Sequence, residues 1–180
     1  LPSRGLGDVY KRQDKYITIT TNHTPRIIER VQSGKATLGL CAGLLPPHHG
    51  LMTFHLFDEP FYIVSKSPLT ELPPMVITND MTNPANSYQL SVLEKFGIKP
   101  LMEMDAYTAA AQLALGGTGP ALIPLSIVKT LNIEPQYLFS FPELEGLIRP
   151  IHICVRPNSY QSPRVKILIE SIVDAVPKAV

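Results

Sequence analysis

The sequence has no long apolar run and little charge. Its longest apolar stretch, residues 38–45, is interrupted by glycines and is far shorter than the ~18 residues that span a membrane. Charged residues make up 17% and hydrophobic residues 44% of the 180 residues, which excludes a disordered chain and supplies material for a core. The composition therefore predicts a globular protein of one domain or two small lobes, with no membrane partner.

Cysteine is scarce, and the two present are Cys41 and Cys154. Neither has histidine or cysteine at metal-ligand spacing, so no metal site is predicted. Both lie in apolar, strand-like runs, and we interpret them as buried, reduced thiols of a cytoplasmic protein. A disulfide between them is the alternative, because spacing alone does not decide whether the two are close.

The chain begins with leucine, and its first thirteen residues have neither helical nor strand periodicity. They read LPSRGLGDVYKRQ, which resembles a translated sequencing adaptor, so residues 1–13 are interpreted as a non-native or disordered tail of a fragment. The tail holds three basic side chains and one acidic one, so the remaining chain is slightly negative although the whole carries +1. This piece is therefore not expected to bind nucleic acid by itself.

Strand-like and helix-like segments alternate along the rest of the chain, which is typical of α/β folds with parallel sheets. Strands are predicted at 16–20, 36–41, 52–56, 61–65, 75–78, 101–104, 121–123 and 148–155. Helices are predicted from 24 to Gly34, at 85–96, 107–115 and 124–131, and after Ser162, where an apolar stripe of Val165, Leu168, Ile169, Ile172, Val173 and Val176 recurs at helical spacing. Thr24 and Ser162 each precede a proline and are predicted N-caps.

Two extended segments, 59–66 and 148–156, bracket the middle of the chain. If both cross between lobes, residues 14–62 and 152–180 form lobe I and residues 63–151 form lobe II. Small ligands bind in the cleft between such lobes.

Three sequence motifs occur in an order and at a spacing that indicate a protein family. TPRIIERVQSG at 24–34 precedes ATLGL at 36–40, LFDEPFYIV at 56–64 precedes SPL at 67–69, and ALGGTGPALIP occupies 114–124. In order and spacing they resemble the effector-binding domain of LysR-type transcriptional regulators. The resemblance implies a type II periplasmic-binding-protein-like fold with two crossover strands, a small-molecule effector, no cofactor and no catalysis.

Two departures from the family pattern stand out. Thr37 occupies a position where family members usually have aspartate. The family's helix-turn-helix, linker helix, and first strand and helix of lobe I are absent from this chain. The resemblance therefore implies a homo-oligomer in the intact protein and contact with DNA only through the missing N-terminal domain.

The resemblance also places effector contacts on the turns that edge the cleft. The candidate ligand-binding residues are Asn22, His23, Thr24, Gly43, Thr78, Asn79, Tyr107, Thr108 and Ile123. Several have a simpler interpretation: Thr24 as a helix cap, His23 as a surface residue, Gly43 as a turn and Ile123 as core. A helix N-terminus beside a cleft attracts carboxylates, so the effector is expected to be anionic.

Other chemistries receive little support from the residues. The glycines at 116–119 follow a helix and lack the phosphate-loop pattern, so they are interpreted as a helix stop. His48, His49 and His55 have no acidic or cysteine partner at ligand spacing, and Arg149 is interpreted as part of a surface ion pair rather than a partner of an effector carboxylate. No nucleophile elbow, the GxSxG turn of serine hydrolases, occurs in the sequence.

Two rival functions remain open. One is a periplasmic solute-binding protein, which a signal peptide would mark, and the other is a small enzyme of the same fold.

Overall fold

The computed structural model describes residues 17–176, which divide into two compact α/β units. The first unit comprises the described parts of Leu1–Phe57 and Ile151–Val180, and the second is Asp58–Pro150. Two strands, β2 (Met52–Val64) and β7 (Ile148–Val155), run from one unit into the other. The predicted α/β class with two crossover strands is confirmed.

The other elements alternate as expected. The remaining strands are β1 (Leu38–Ala42), β3 (Met75–Asn79), β4 (Lys99–Met104), β5 (Ala121–Pro124) and β6 (Leu138–Phe139). The helices are α1 (Thr24–Gln32), α2 (Tyr88–Lys95), α3 (Tyr107–Leu115), α4 (Leu125–Thr130), α5 (Pro157–Tyr160) and α6 (Pro163–Ala175). Short 3₁₀ helices at Pro84–Asn86, Pro135–Tyr137 and Pro142–Leu144 each begin with proline, whose fixed φ suits a tight turn. Within residues 17–176, no helix combines the length and apolar character needed to cross a membrane.

In the first unit, α1 packs closely on β1. The helix ends before Gly34, which has φ +78°, a left-handed conformation that glycine adopts without strain. Gly39 permits the close approach, because a Cβ there would lie 2.5 Å from Cγ2 of Ile27. β1 pairs antiparallel with β7, with Leu38 opposite Val155.

The opposite face of β7 packs on α6. Ile153 and Val155 of β7 and Ile169 of α6 are buried together, whereas Cys154 packs in a separate cluster with Ile28 of α1. This alternation places one helix on each face of the strand. Of the apolar stripe predicted for the last helix, Ile169 is buried but Val173 is 43% exposed.

The second unit is a mixed sheet with strand order β2–β5–β3–β4, and β6 pairs with β2. β3 is parallel to both β4 and β5, whereas β2 runs antiparallel to β5. Ile63, Ile77, Leu122 and Ile123 are fully buried and dominate its core. Because three strands are parallel, their carboxyl ends lie at one edge of the sheet.

One strand prediction is wrong, and two others merge into one strand. Tyr16 lies outside the described residues, and residues 17–20 form no strand, with Ile19 86% exposed. Alternating β-branched residues do not make a stable strand without a neighbour to pair with. The strands predicted at 52–56 and 61–65 are one continuous strand, β2.

Helix starts also differ from prediction. Asn83 accepts a hydrogen bond from the Ala85 N–H and opens a 3₁₀ turn, so the helix predicted from residue 85 begins at Tyr88. The cap of α1 is His23 rather than Thr24, and neither α1 nor α6 has a side-chain cap hydrogen bond. The Thr24 hydroxyl bonds elsewhere, as described below.

Candidate functional site

Polar side chains gather at the carboxyl edge of the parallel strands in the second unit. β3 ends at Thr78 and Asn79, β4 leads into α3 at Tyr107, and β5 leads into α4, which carries Ser126. The ends of β3 and β4 are in register, with Asn79 opposite Met104. This edge is where open α/β sheets generally bind ligands.

The carboxyl-edge cluster, as we name it, has a buried carboxylate at its base. Its members are Glu59, Thr78, Asn79, Gln89, Tyr107, Ser126 and Arg149. Glu59 is 1% exposed. It accepts hydrogen bonds from the Ser126 N–H at 3.1 Å and the Ser126 hydroxyl at 3.0 Å. Arg149 Nε lies 3.3 Å from Glu59 Oε1, so the buried negative charge is compensated on two sides.

Tyr107 joins this ion pair to the rest of the cluster. Its hydroxyl accepts a hydrogen bond from Gln89 Nε2 at 2.9 Å. The Arg149 guanidinium lies 5.2 Å from the centre of its ring, and Asn79 and Arg149 both act to lower the pKa of the phenol. One aromatic side chain thus contacts residues from β3, α2 and β7.

Three buried side-chain atoms in the cluster have no hydrogen-bond partner among the described residues. One is Arg149 Nε, which faces Glu59 in the ion pair. The other two are Thr78 Oγ1 and Gln89 Oε1, and both residues are 0% exposed. A buried polar group left unpaired costs about 1–3 kcal/mol. These atoms are therefore the groups in the cluster that would gain most from a bound molecule with complementary polar atoms.

Burial controls the protonation of the two tyrosines here. It raises the pKa of Tyr107, and hydrogen bonds with Gln89, Arg149 and Asn79 oppose the shift. Burial also raises the pKa of Tyr88, reinforced by the neighbouring Tyr107. Both phenols therefore stay neutral near pH 7 and keep a proton to donate.

This shift predicts a loss of stability in alkali. Because the folded pKa values lie above the ordinary 10.0, the stability they contribute is fully present below pH 10.0 and is lost as the pH rises above it. Urea unfolding between about pH 9 and pH 11 should show a falling free energy of unfolding, with a shallower fall in Tyr107→Phe. Equal slopes for Tyr107→Phe, wild type and the control Tyr160→Phe would contradict this.

In the first unit, the Thr24 hydroxyl fastens α1 to the end of β1. It donates to the Ala42 carbonyl at 2.7 Å and accepts from the Ala42 N–H at 3.2 Å, and Thr24 is 7% exposed. A hydroxyl has one further lone pair, so a ligand contact is still available to it. Gly43 follows directly, buried and with φ +85°.

The predicted site residues do not all come together. Thr78, Asn79 and Tyr107 do, whereas Thr108 is exposed to solvent and Ile123 is 0% exposed within the core. Asn22 and His23 are exposed beside Thr24 at the start of α1.

Several residues of the carboxyl-edge cluster were not predicted or were predicted wrongly from the sequence. The expectation of a surface ion pair for Arg149 is wrong, because its side chain is 17% exposed and its partner Glu59 is 1% exposed. Glu59, Gln89 and Ser126 were not predicted. An acidic residue directly before the apolar run of β2 was the available signal for Glu59, and Gln89 and Ser126 gave none.

The remaining motifs find simpler roles. α3 ends at Leu115 and Gly117 has φ +92°, so the glycine-rich segment is a helix stop. Within residues 17–176, no group of three or more histidine, cysteine, aspartate or glutamate side chains is placed to hold a metal ion.

Comparison with known proteins identifies the family to which this architecture belongs. The family model for the LysR substrate binding domain matches residues 14–177. The chain belongs to the LysR substrate-binding domain family. The predicted type II periplasmic-binding-protein-like fold and the effector-sensing role are thereby confirmed, and the periplasmic solute-binding alternative is set aside.

Individual relatives of this LysR substrate-binding domain agree. A Vibrio cholerae protein described as an uncharacterized HTH-type transcriptional regulator is 64% identical over 171 residues, which cover 95% of this chain and 60% of that protein. The BenM effector-binding domain with benzoate has TM-score 0.67 and 19% identity, covering 97% of this chain and 85% of that one. CbnR, a LysR family regulator, has TM-score 0.66 and 15% identity, covering 97% and 65%.

Proposed function

We propose that this domain senses a small anionic effector for a LysR-type transcriptional regulator. The intact cytoplasmic protein is a homo-oligomer that contacts DNA through an N-terminal helix-turn-helix. The domain itself performs no catalysis. Effector binding shifts the population of domain arrangements, and the DNA-binding part reads that shift.

Arg149 carries the proposal of an anionic effector. It is the cation of the carboxyl-edge cluster, and its side chain is 17% exposed, so a ligand can reach it. Its Nε faces Glu59, and the guanidinium carries further N–H donors on its two terminal nitrogens, which suit a carboxylate. The similar BenM domain is described with benzoate, itself a carboxylate.

The unpartnered atoms refine the class of effector. Gln89 Oε1 accepts hydrogen bonds only, and Thr78 Oγ1 both donates and accepts. A carboxylate that also carries a hydroxyl or amino group would satisfy both atoms and Arg149. We therefore propose that the effector is a hydroxy- or amino-carboxylate.

A matched ligand panel tests the function. Hydroxy- and amino-carboxylates are expected to raise the melting temperature and bind in calorimetry, whereas their neutral amides do not. Thr24→Ala should weaken binding at least several-fold because the hydroxyl is lost, and Thr24→Ser, which keeps it, should bind like wild type.

Two outcomes would overturn parts of this proposal. Equal binding of carboxylates and neutral amides would remove the anionic effector. Unchanged affinity of Thr24→Ala, with an intact circular dichroism spectrum, would remove Thr24 from the site.

A further inference from the structure

Two thiols meet between neighbouring strands of the first unit. Cys41 of β1 is opposite His152 of β7, and Cys154 of β7 is opposite Gly39. The cysteines are therefore diagonal neighbours on one face of the strand pair. Both are free thiols, 1% and 0% exposed, packed together with Ile28 under α1.

The two sulfurs interact directly and unequally. The Cys41 thiol donates a hydrogen bond to the Cys154 sulfur, which raises the pKa of Cys41 and lowers the pKa of Cys154. Cys154 is thus the sulfur that ionises first and attacks electrophiles, because the thiolate is the reactive form. Diagonal neighbours on paired strands are about 7–8 Å apart, so a disulfide with its ~2.05 Å S–S bond requires the two strands to shift slightly toward each other.

We propose that Cys41 and Cys154 form an oxidation site at which a hydroperoxide produces an intramolecular disulfide. The Cys154 thiolate attacks the terminal peroxide oxygen, the O–O bond breaks, and the departing oxygen takes a proton to give water or an alcohol. Cys41 then attacks the sulfur of the resulting sulfenic acid, the S–S bond forms, and the sulfenic oxygen leaves as water with the Cys41 proton. The two thiols lose two electrons, and the peroxide gains them.

The oxidation site adjoins the contact that positions α1. Cys41 precedes Ala42, whose N–H and carbonyl both bond to the Thr24 hydroxyl. A new covalent bond at Cys41 moves this backbone, so oxidation alters the first turn of α1. If the proposed role of Thr24 in effector binding holds, oxidation also changes effector affinity.

The test treats the folded, reduced chain with millimolar hydrogen peroxide. The expected product has lost two hydrogens, takes up no N-ethylmaleimide after denaturation, and yields a linked peptide containing Cys41 and Cys154. Amide exchange in α1 should change on oxidation, a readout that needs no effector and stands even if the proposed function fails. A chain that keeps two alkylatable thiols, or that links only between molecules, would overturn the proposal.

Single variants test the unequal roles of the sulfurs. In Cys41→Ser, whose hydroxyl can still donate to the Cys154 sulfur, Cys154 should accumulate as a sulfenic acid that dimedone traps, whereas in Cys154→Ser the remaining Cys41 should stay reduced. The reverse pattern would overturn the assignment of the attacking sulfur. If a variant fails to fold, phenylarsine oxide, which bridges adjacent thiols, tests the wild-type pair instead. One equivalent is expected to protect both cysteines from alkylation. If each cysteine reacts independently, the two do not form a pair.

Discussion

Glu59→Ala is expected to lower the free energy of unfolding by about 3–5 kcal/mol, the usual cost of breaking a buried ion pair from one side. The variant leaves the Arg149 charge without its carboxylate. It also leaves the Ser126 N–H and hydroxyl without their acceptors. Urea unfolding followed by circular dichroism measures the change.

A surface pair provides the matched control. Glu29 and Arg26 form an ion pair on α1 at 3.4 Å, but their side chains are 66% and 55% exposed. Glu29→Ala should therefore cost no more than about 1 kcal/mol. If Glu59→Ala costs as little as Glu29→Ala, the carboxyl-edge cluster is not held together by Glu59.

The local sequence predicts helix bounds correctly where the backbone preferences of a few neighbouring residues determine them. Gly34 marks the end of α1, and the segment at 107–115 is a helix with the predicted bounds. Residues 17–20 show where such signals fail. Their alternation is that of a strand, but pairing depends on a neighbour that the local sequence does not encode.

The residues of the candidate site that lie at strand ends could be predicted from the sequence. Thr78, Asn79 and Tyr107 were identifiable because turns at the carboxyl ends of parallel strands share one sheet edge. Glu59 was not, because its partner Ser126 is 67 residues away in the chain. Gln89 was hidden for a similar reason, since a polar residue on a helix is ordinarily exposed, whereas here it is buried against Tyr107.

Ile123→Ala is expected to lower the free energy of unfolding by about 2–5 kcal/mol, and Ile123→Val by about 0.5–1.5 kcal/mol. Ile123 is 0% exposed on β5, opposite Tyr62 of β2 and inside the core of the second unit. Truncation leaves a cavity that this paired strand cannot collapse to fill. The same urea experiment measures both variants.

The pair of variants also decides whether Ile123 touches the effector. A residue that acts only as core should lose stability in proportion to the volume removed, while the affinity of the folded Ile123→Val variant stays that of wild type. If Ile123 lines the binding site, Ile123→Val should instead bind the effector more weakly, with little loss of stability. Ile167→Ala on α6, where the side chain is 43% exposed, is the control and should change stability by no more than about 0.5 kcal/mol. A loss in Ile123→Ala as small as that of Ile167→Ala would show that β5 does not anchor this core.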